Sequence, residues 1–289
     1  MVTPSHVGRA GDPDEPGLEH YRLLGVDFTS APSRRKPIVV ADLRFAGASL
    51  ELHSIEAMAD FASFERMLAA PGPWVAGFDL PFGLPREFVI AQGWPLDWAA
   101  CMDRYAALDR ARLRDAFRAF CDARPAGRKF AHRRTDGPAG SSPSMKWVNP
   151  PVAWMMHAGV PRLRAAGLHL PGLVDGDRSR VGVEAYPGML ARAITRQSYK
   201  SDAPRGDTSA RRAARECILA AIEQGRHPEG GPVSIAADRR ERLLADARGD
   251  ALDALLCALL AAWSARRRHR EFGCPADHDL LEGWIAAAG

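Results

Sequence analysis

Apolar positions fall into short runs that read as strands near the N-terminus and into longer runs of helical spacing after them. Tyr21 to Phe28 (YRLLGVDF), Pro37 to Ala46 (PIVVADLRFA) and Ser49 to Ile55 (SLELHSI) are predicted strands, the last with period-two alternation. Gly47 marks a tight turn between the second and third. Phe61, Phe64, Met67 and Leu68 recur at helical spacing, Pro-Gly-Pro at 71–73 stops that helix, and WVAGFDL (Trp74 to Leu80) predicts a fourth strand.

From Pro85 to about Leu170 the pattern is mostly helical. LDWAACMDRYAALDRARLRDAFRAFCDA, residues 96–123, reads as one long amphipathic helix, and residues 150–167 as another helical segment. Between them Arg124 to Lys146 is rich in Gly, Pro, Ser and basic residues and reads as a mobile loop. RVGVEAY (Arg180 to Tyr186) predicts a fifth strand, followed by helices at residues 187–194 and 208–225. GDALDALLCALLAAW (Gly249 to Trp263) is apolar on nearly every face apart from Asp250 and Asp253, the mark of a buried helix. Its apolar run is too short to span a bilayer, so no membrane segment is expected. The basic residues after it, Arg266 to Arg270, suit a helix C-terminus.

Composition narrows this little. Of 289 residues, 46% are hydrophobic and 26% charged, the balance of a soluble globular chain. The first 20 residues lack the apolar block of a secretory signal and read as a disordered tail. Five scattered cysteines form no CxxC pair, which argues against a zinc ribbon or disulfide framework and suits a reducing cytoplasm. A net charge of +4 admits a polyanionic partner without requiring one. Only four of the 39 basic residues are lysines (Lys36, Lys129, Lys146 and Lys200), all in polar, loop-like segments where an ammonium can meet a phosphate as a point charge. Base composition of the genome is the simpler account of the arginine excess.

The chemistry lies in where the acids fall. Asp27 and Asp79 each end a strongly apolar strand, and Asp250 and Asp253 open the buried C-terminal helix, on one face at i and i+3. In an open α/β sheet ligands gather at the carboxyl ends of strands, so the four carboxylates can converge. Such a cluster is repulsive when empty, and a divalent cation of the Mg²⁺ type, which takes oxygen ligands, relieves it. Two such ions can drive phosphodiester hydrolysis. Simpler accounts exist: Asp79 can initiate a turn, Asp250 can cap the helix and Asp253 can favour its dipole. Glu184 is unusual inside a buried strand, though one ion pair with an arginine accounts for it.

Four blocks in order, GVDFTSAP, FDLPFGLP, VEAYPGML and GDALDALLCALLAAW, resemble the family called domain of unknown function 429, whose members are predicted RNase H-like nucleases. The last block is also similar to the C-terminal acidic helix of RuvC-type resolvases. The resemblance implies an α/β fold: an RNase H-like core with a five-stranded mixed sheet, its first three strands antiparallel, flanked by helices. It implies a single domain over residues 21–289, with a large helical insertion at about 85–170. In the resemblance Asp27 and Asp79 match the acids of the first and fourth strands, and Asp250 or Asp253 the acid of the last helix; the expected ligands of Mg²⁺ or Mn²⁺ are Asp27, Asp79 and Asp253, with Asp250 or Glu184 assisting catalysis. The implied activity is metal-dependent hydrolysis of DNA or RNA. Arg128, Lys129, Arg133, Arg134 and Lys146, with His132 among them, could grip a phosphate backbone, and Lys200 is a further candidate. A non-catalytic module that binds nucleic acid or metal is the alternative. Small-molecule phosphoryl transfer lacks its glycine-rich phosphate loop here.

Overall fold

The N-terminal strands each form through an identifiable local device. The computed structural model describes residues 16–201, 203, 206–227 and 231–288. Of the tail expected over residues 1–20, residues 1–15 lie outside the described ones, and Leu18–His20 is a 3-10 turn leading into buried Tyr21. Strands β1 (Arg22–Asp27), β2 (Ile38–Ala46) and β3 (Ser49–Met58) make an antiparallel meander, with Asp27 opposite Val39 and Ala46 opposite Ser49. Gly47, at φ +63°, supplies the left-handed backbone of the turn from β2 to β3. Helix α1 (Phe61–Leu68) is capped by Asp60, which accepts from the Ser63 N–H at 2.7 Å. It returns the chain to β4 (Trp74–Phe78), parallel to β1.

The sheet is mixed and has seven strands, not the expected five. Strand β5 (Leu168–His169) pairs with β6 (Asp177–Glu184), β6 with β4, and β7 (Val233–Ser234) with β3, all in parallel, giving the order β5-β6-β4-β1-β2-β3-β7. The two additional strands hold two residues each, too few for alternation to mark them.

Strand parity divides the core into two layers. On one face Leu24, Val26, Ala76 and Phe78 pack against α1 and against helices from residues 85–170. Those helices are α2 (Arg86–Ala91), α3 (Trp98–Ala106), α4 (Arg110–Asp122) and α6 (Val152–Ala165), while the short α5 (Asp136–Ala139) packs its Ala139 with Ile285 and Ala288. The single helix expected over residues 96–123 is two, because Asp109 adopts extended backbone and accepts from the Arg112 N–H at 2.9 Å, starting α4 afresh.

On the other face Leu23, Val75, Val181 and Val183 meet α7 (Pro187–Ile194), α8 (Ser209–Glu223), α9 (Ala237–Ala245) and α10 (Asp250–Arg266). Fourteen of the 17 residues of α10 are buried, so it is an internal helix rather than an amphipathic cover. Five buried leucines, each worth about 1.5–3 kcal/mol, outweigh the several kcal/mol that burying Asp253 in its first turn costs. Among the described residues no helix is long and apolar enough to cross a membrane.

Candidate functional site

Both sheet acids follow a glycine by two residues: Gly25-Val26-Asp27 on β1 and Gly77-Phe78-Asp79 at the end of β4. The glycines are register partners, so two positions without side chains lie side by side. A Cβ at Gly25 would come within 1.9 Å of the Ala254 carbonyl oxygen, and one at Gly77 within 2.4 Å of that of Cys257. Helix α10 therefore crosses the sheet in backbone contact. Residues i and i+2 of a strand share a face, so Asp27 and Asp79 project toward that helix. The Asp79 N–H donates to the Val26 carbonyl at 2.9 Å and extends the ladder by one residue, which fixes the carboxylate beside Asp27.

The helix delivers the third acid. One carboxylate oxygen each of Asp27, Asp79 and Asp253 lies within 4.8 Å of the others, with Asp253 buried and the other two partly open. Asp250, one turn earlier, is not in this group. Its Oδ2 is 3.1 Å from Arg248 Nε. Nor does Asp250 cap α10, as its sequence position suggested. Gly249, at φ +74°, holds the N-cap position, and Asp246 accepts from the Ala251 N–H at 2.8 Å.

The electrostatics follow from crowding. Burial pushes the Asp27 carboxyl well above the usual carboxylate range, and Asp253, Asp79 and Asp250 push the same way while Lys200 opposes them. Asp79 is pushed up to about 7, first by burial and then by Asp253, again against Lys200. Burial also raises Asp253, opposed by Lys200 and by the hydrogen bond from Tyr199. The buried Cys257 thiol beside them is raised as well, by burial and then by the three acids.

Lys200 is the one predicted cation whose charge enters the cluster. Its ammonium donates to Asp253 Oδ2 and the Tyr199 hydroxyl donates to Oδ1, so both oxygens of Asp253 are held. Burial disfavours the ammonium, but Asp253, Asp79 and Asp27 more than offset this, and its pKa lies above the usual lysine value. Three residues unremarked in the sequence place this pair. The buried Arg215 donates to the Tyr199 carbonyl at 2.8 Å and the Leu244 carbonyl at 2.9 Å, and is paired with Asp207 at 3.0 Å. Gly249 lets Lys200 approach, since a Cβ there would meet the Lys200 Cβ at 2.9 Å. The sequence signals available were the repeated G-x-D and an arginine in the apolar stripe of α8.

Glu184 lies across the sheet from the cluster. It registers with Phe78, whose side chain faces the layer of α1 to α4 and α6, so parity turns Glu184 that way. There it takes two bonds from Arg133, at 2.6 and 2.7 Å, and one from the Phe82 N–H at 2.9 Å. The ion-pair account of Glu184 is the one the geometry matches. Arg133 is 3% exposed and also bonds Asp136 at 2.9 Å, so it is not available to a phosphate. Arg133→Met leaves two buried carboxylates without their cation. We expect a loss of about 3–5 kcal/mol, read from the urea midpoint, and an unchanged midpoint would refute the pairing.

The segment from Arg124 to Lys146 is anchored rather than a mobile loop. Beyond Arg133 and α5, it buries Ser144 and Met145, and the Arg134 N–H donates to buried Glu282 at 2.7 Å. Arg128 and Lys129 are exposed, Lys129 lying 4.0 Å from Asp122, while Arg134 pairs with Asp277 at 3.5 Å. Lys146 is half-buried, and His132 is exposed. None of these forms an ion pair with Asp27, Asp79 or Asp253.

A family model described as "Protein of unknown function (DUF429)" matches residues 25–279, a span that contains all three clustered acids and Lys200. No curated protein and no solved structure matches the chain.

Proposed function

Because the chain belongs to the family of unknown function 429 and that description names no reaction, we propose its function from the site: a metal-dependent nuclease on an RNase H-like core. The observation that carries this reading is the convergence of Asp27, Asp79 and Asp253 from two parallel strands and one buried helix. The RNase H-like reading is supported by the antiparallel meander of the first three strands and the parallel entry of β4 beside β1.

The donor set fits a hard divalent cation. All three groups are carboxylates, two are open to solvent on one side, and no soft ligand is among them. Asp27, Asp79 and Asp253 would hold Mg²⁺ or Mn²⁺, which when bound supplies charge neutralisation and activation of water toward a phosphodiester. The chain's own residues prepare the site. Tyr199 and Lys200 orient Asp253, and Lys200 places a positive charge where a phosphate oxygen would accumulate negative charge. Three carboxylates and one ammonium leave a local charge that a single divalent ion balances.

Purified protein incubated with single-stranded, duplex and branched DNA and with RNA, each with and without Mg²⁺ or Mn²⁺, tests the reading. Metal-dependent cleavage of at least one is the expected result. Metal binding by calorimetry without any cleavage would instead make the chain a binding module. Lys200→Met separates the roles of the lysine: removing a unit positive charge beside the ion should tighten Mn²⁺ binding about tenfold or more while slowing cleavage. Weaker Mn²⁺ binding in that variant would show that Lys200 acts only by holding Asp253 in place.

A further inference from the structure

Of the loop that follows Asp27 the sequence pointed only to Lys36 as a lysine that could meet a phosphate, yet the loop carries Arg34, Arg35 and Lys36 in succession. All three are exposed, and among the described residues none has an ion-pair partner or a side-chain hydrogen bond. The loop leaves β1 at Asp27 and re-enters β2 opposite it, where Asp27 faces Val39, so its tip projects beyond the strand end that bears the carboxylate cluster.

The tip is built rather than loose. The Ser33 N–H donates to the Lys36 carbonyl at 3.0 Å, and the Lys36 N–H donates to Ser33 Oγ at 3.1 Å, closing a turn flanked by Pro32 and Pro37. Two tethers hold it against the site. The Arg248 guanidinium donates to the Arg35 carbonyl while its Nε lies 3.1 Å from Asp250, one helical turn before Asp253. On the other side Arg110 donates to the Ser30 carbonyl at 3.3 Å.

We propose that this loop is the phosphate-backbone grip of the nuclease, with Arg34, Arg35 and Lys36 contacting successive phosphates of a strand whose scissile bond lies over Asp27, Asp79 and Asp253. The inference rests on the nuclease reading for the identity of the polyanion. Its physical basis is a cluster of exposed cations, unpaired among the described residues, on a pre-closed turn that loses little conformational freedom on binding. Backbone phosphates supply most sequence-independent affinity, and each neutralised phosphate contributes about 0.7–0.9 to the slope of log affinity against log salt. The arginine-rich segment from 128 to 134 is the weaker candidate, because Arg133 is consumed by Glu184 and Asp136, and Lys129 and Arg134 have acidic neighbours.

The test uses the full chain in EDTA, with fluorescein-labelled single-stranded and duplex oligonucleotides and anisotropy read across a salt series. Arg34→Ala/Arg35→Ala/Lys36→Ala is compared with Arg128→Ala/Lys129→Ala/Arg134→Ala, which removes the same charge. The first variant should bind about tenfold or more weakly, with a salt slope reduced by about 2–3, and the second should stay within about twofold of wild type. Circular dichroism melting checks that both fold. A loop variant that binds like wild type, or two variants that lose affinity equally, overturns the assignment. Cleavage by wild type in Mn²⁺ is scored separately. Cleavage together with an unaffected loop variant sinks the grip alone, whereas lost binding in the loop variant with no cleavage by wild type leaves the grip standing and sinks the nuclease.

Discussion

Asp79→Asn should make the metal-free protein more stable at neutral pH while removing its response to Mn²⁺. The folded protein holds the Asp79 carboxyl at about 7, against an ordinary value near 3.8, chiefly through burial and the neighbouring Asp253. A raised folded-state pKa means that the native state binds the proton more tightly than the unfolded chain does. The stability this contributes is complete below about pH 3.8 and is lost as pH rises through about 7. The displacement corresponds to at most about 4 kcal/mol, shared with Asp27 and Asp253, whose carboxyls are raised by the same burial and crowding.

In EDTA, urea unfolding of the wild-type chain should therefore show stability falling between about pH 4 and pH 7, and the asparagine variant should show a flatter profile and a higher midpoint at pH 8. Metal reverses the order. An ion at a hundredfold excess over its dissociation constant stabilises the folded state by about 2.7 kcal/mol, and only the chain with all three carboxylates should gain this. An asparagine variant that is stabilised by Mn²⁺ as much as wild type, or that unfolds more easily than wild type at pH 8 in EDTA, would remove Asp79 from the metal set.

The three acids were legible because each violates its surroundings: a carboxylate that ends a strongly apolar strand, or opens a helix apolar on nearly every face, has no packing reason to be there. What the sequence could not show was which acids share a face. Glu184 looks as anomalous as Asp79, and only its register opposite Phe78 sends it to the opposite layer, to Arg133. Register is a tertiary fact, set by which strands become neighbours. Lys200 was visible only as a lysine in a polar segment. Its placement depends on Arg215 and Gly249, which lie distant in sequence and meet Tyr199 and Lys200 only when α8 and α10 dock. The segment from Arg124 to Lys146 has a loop's composition and still buries an arginine, because the partners that satisfy it, Glu184 and Asp136, come from β6 and α5.

The close approach of α10 to the sheet makes the last prediction a matter of space alone. Gly25→Ala places a methyl where the Ala254 carbonyl and the Ala258 amide already lie, at 1.9 and 2.1 Å, and Gly77→Ala places one 2.4 Å from the Cys257 carbonyl. These are backbone atoms of a helix packed on nearly all sides, so no side chain can rotate away to relieve the clash. Overpacking of a core typically costs about 1–3 kcal/mol, and with a whole helix as the obstacle we expect about 3 kcal/mol or more for either variant. Helix α10 carries Asp253, so any shift that accommodates the methyl also separates the three carboxylates, and Mn²⁺ affinity should fall about tenfold or more. Gly137→Ala is the control, since its Cβ would meet nothing within 4 Å. A Gly25→Ala chain with the wild-type urea midpoint and wild-type Mn²⁺ affinity would refute the backbone contact. Read beside Asp79→Asn, the glycine variants divide charge from geometry: both kinds of change should weaken the response to metal, but one raises the stability of the metal-free chain at pH 8 and the other lowers it.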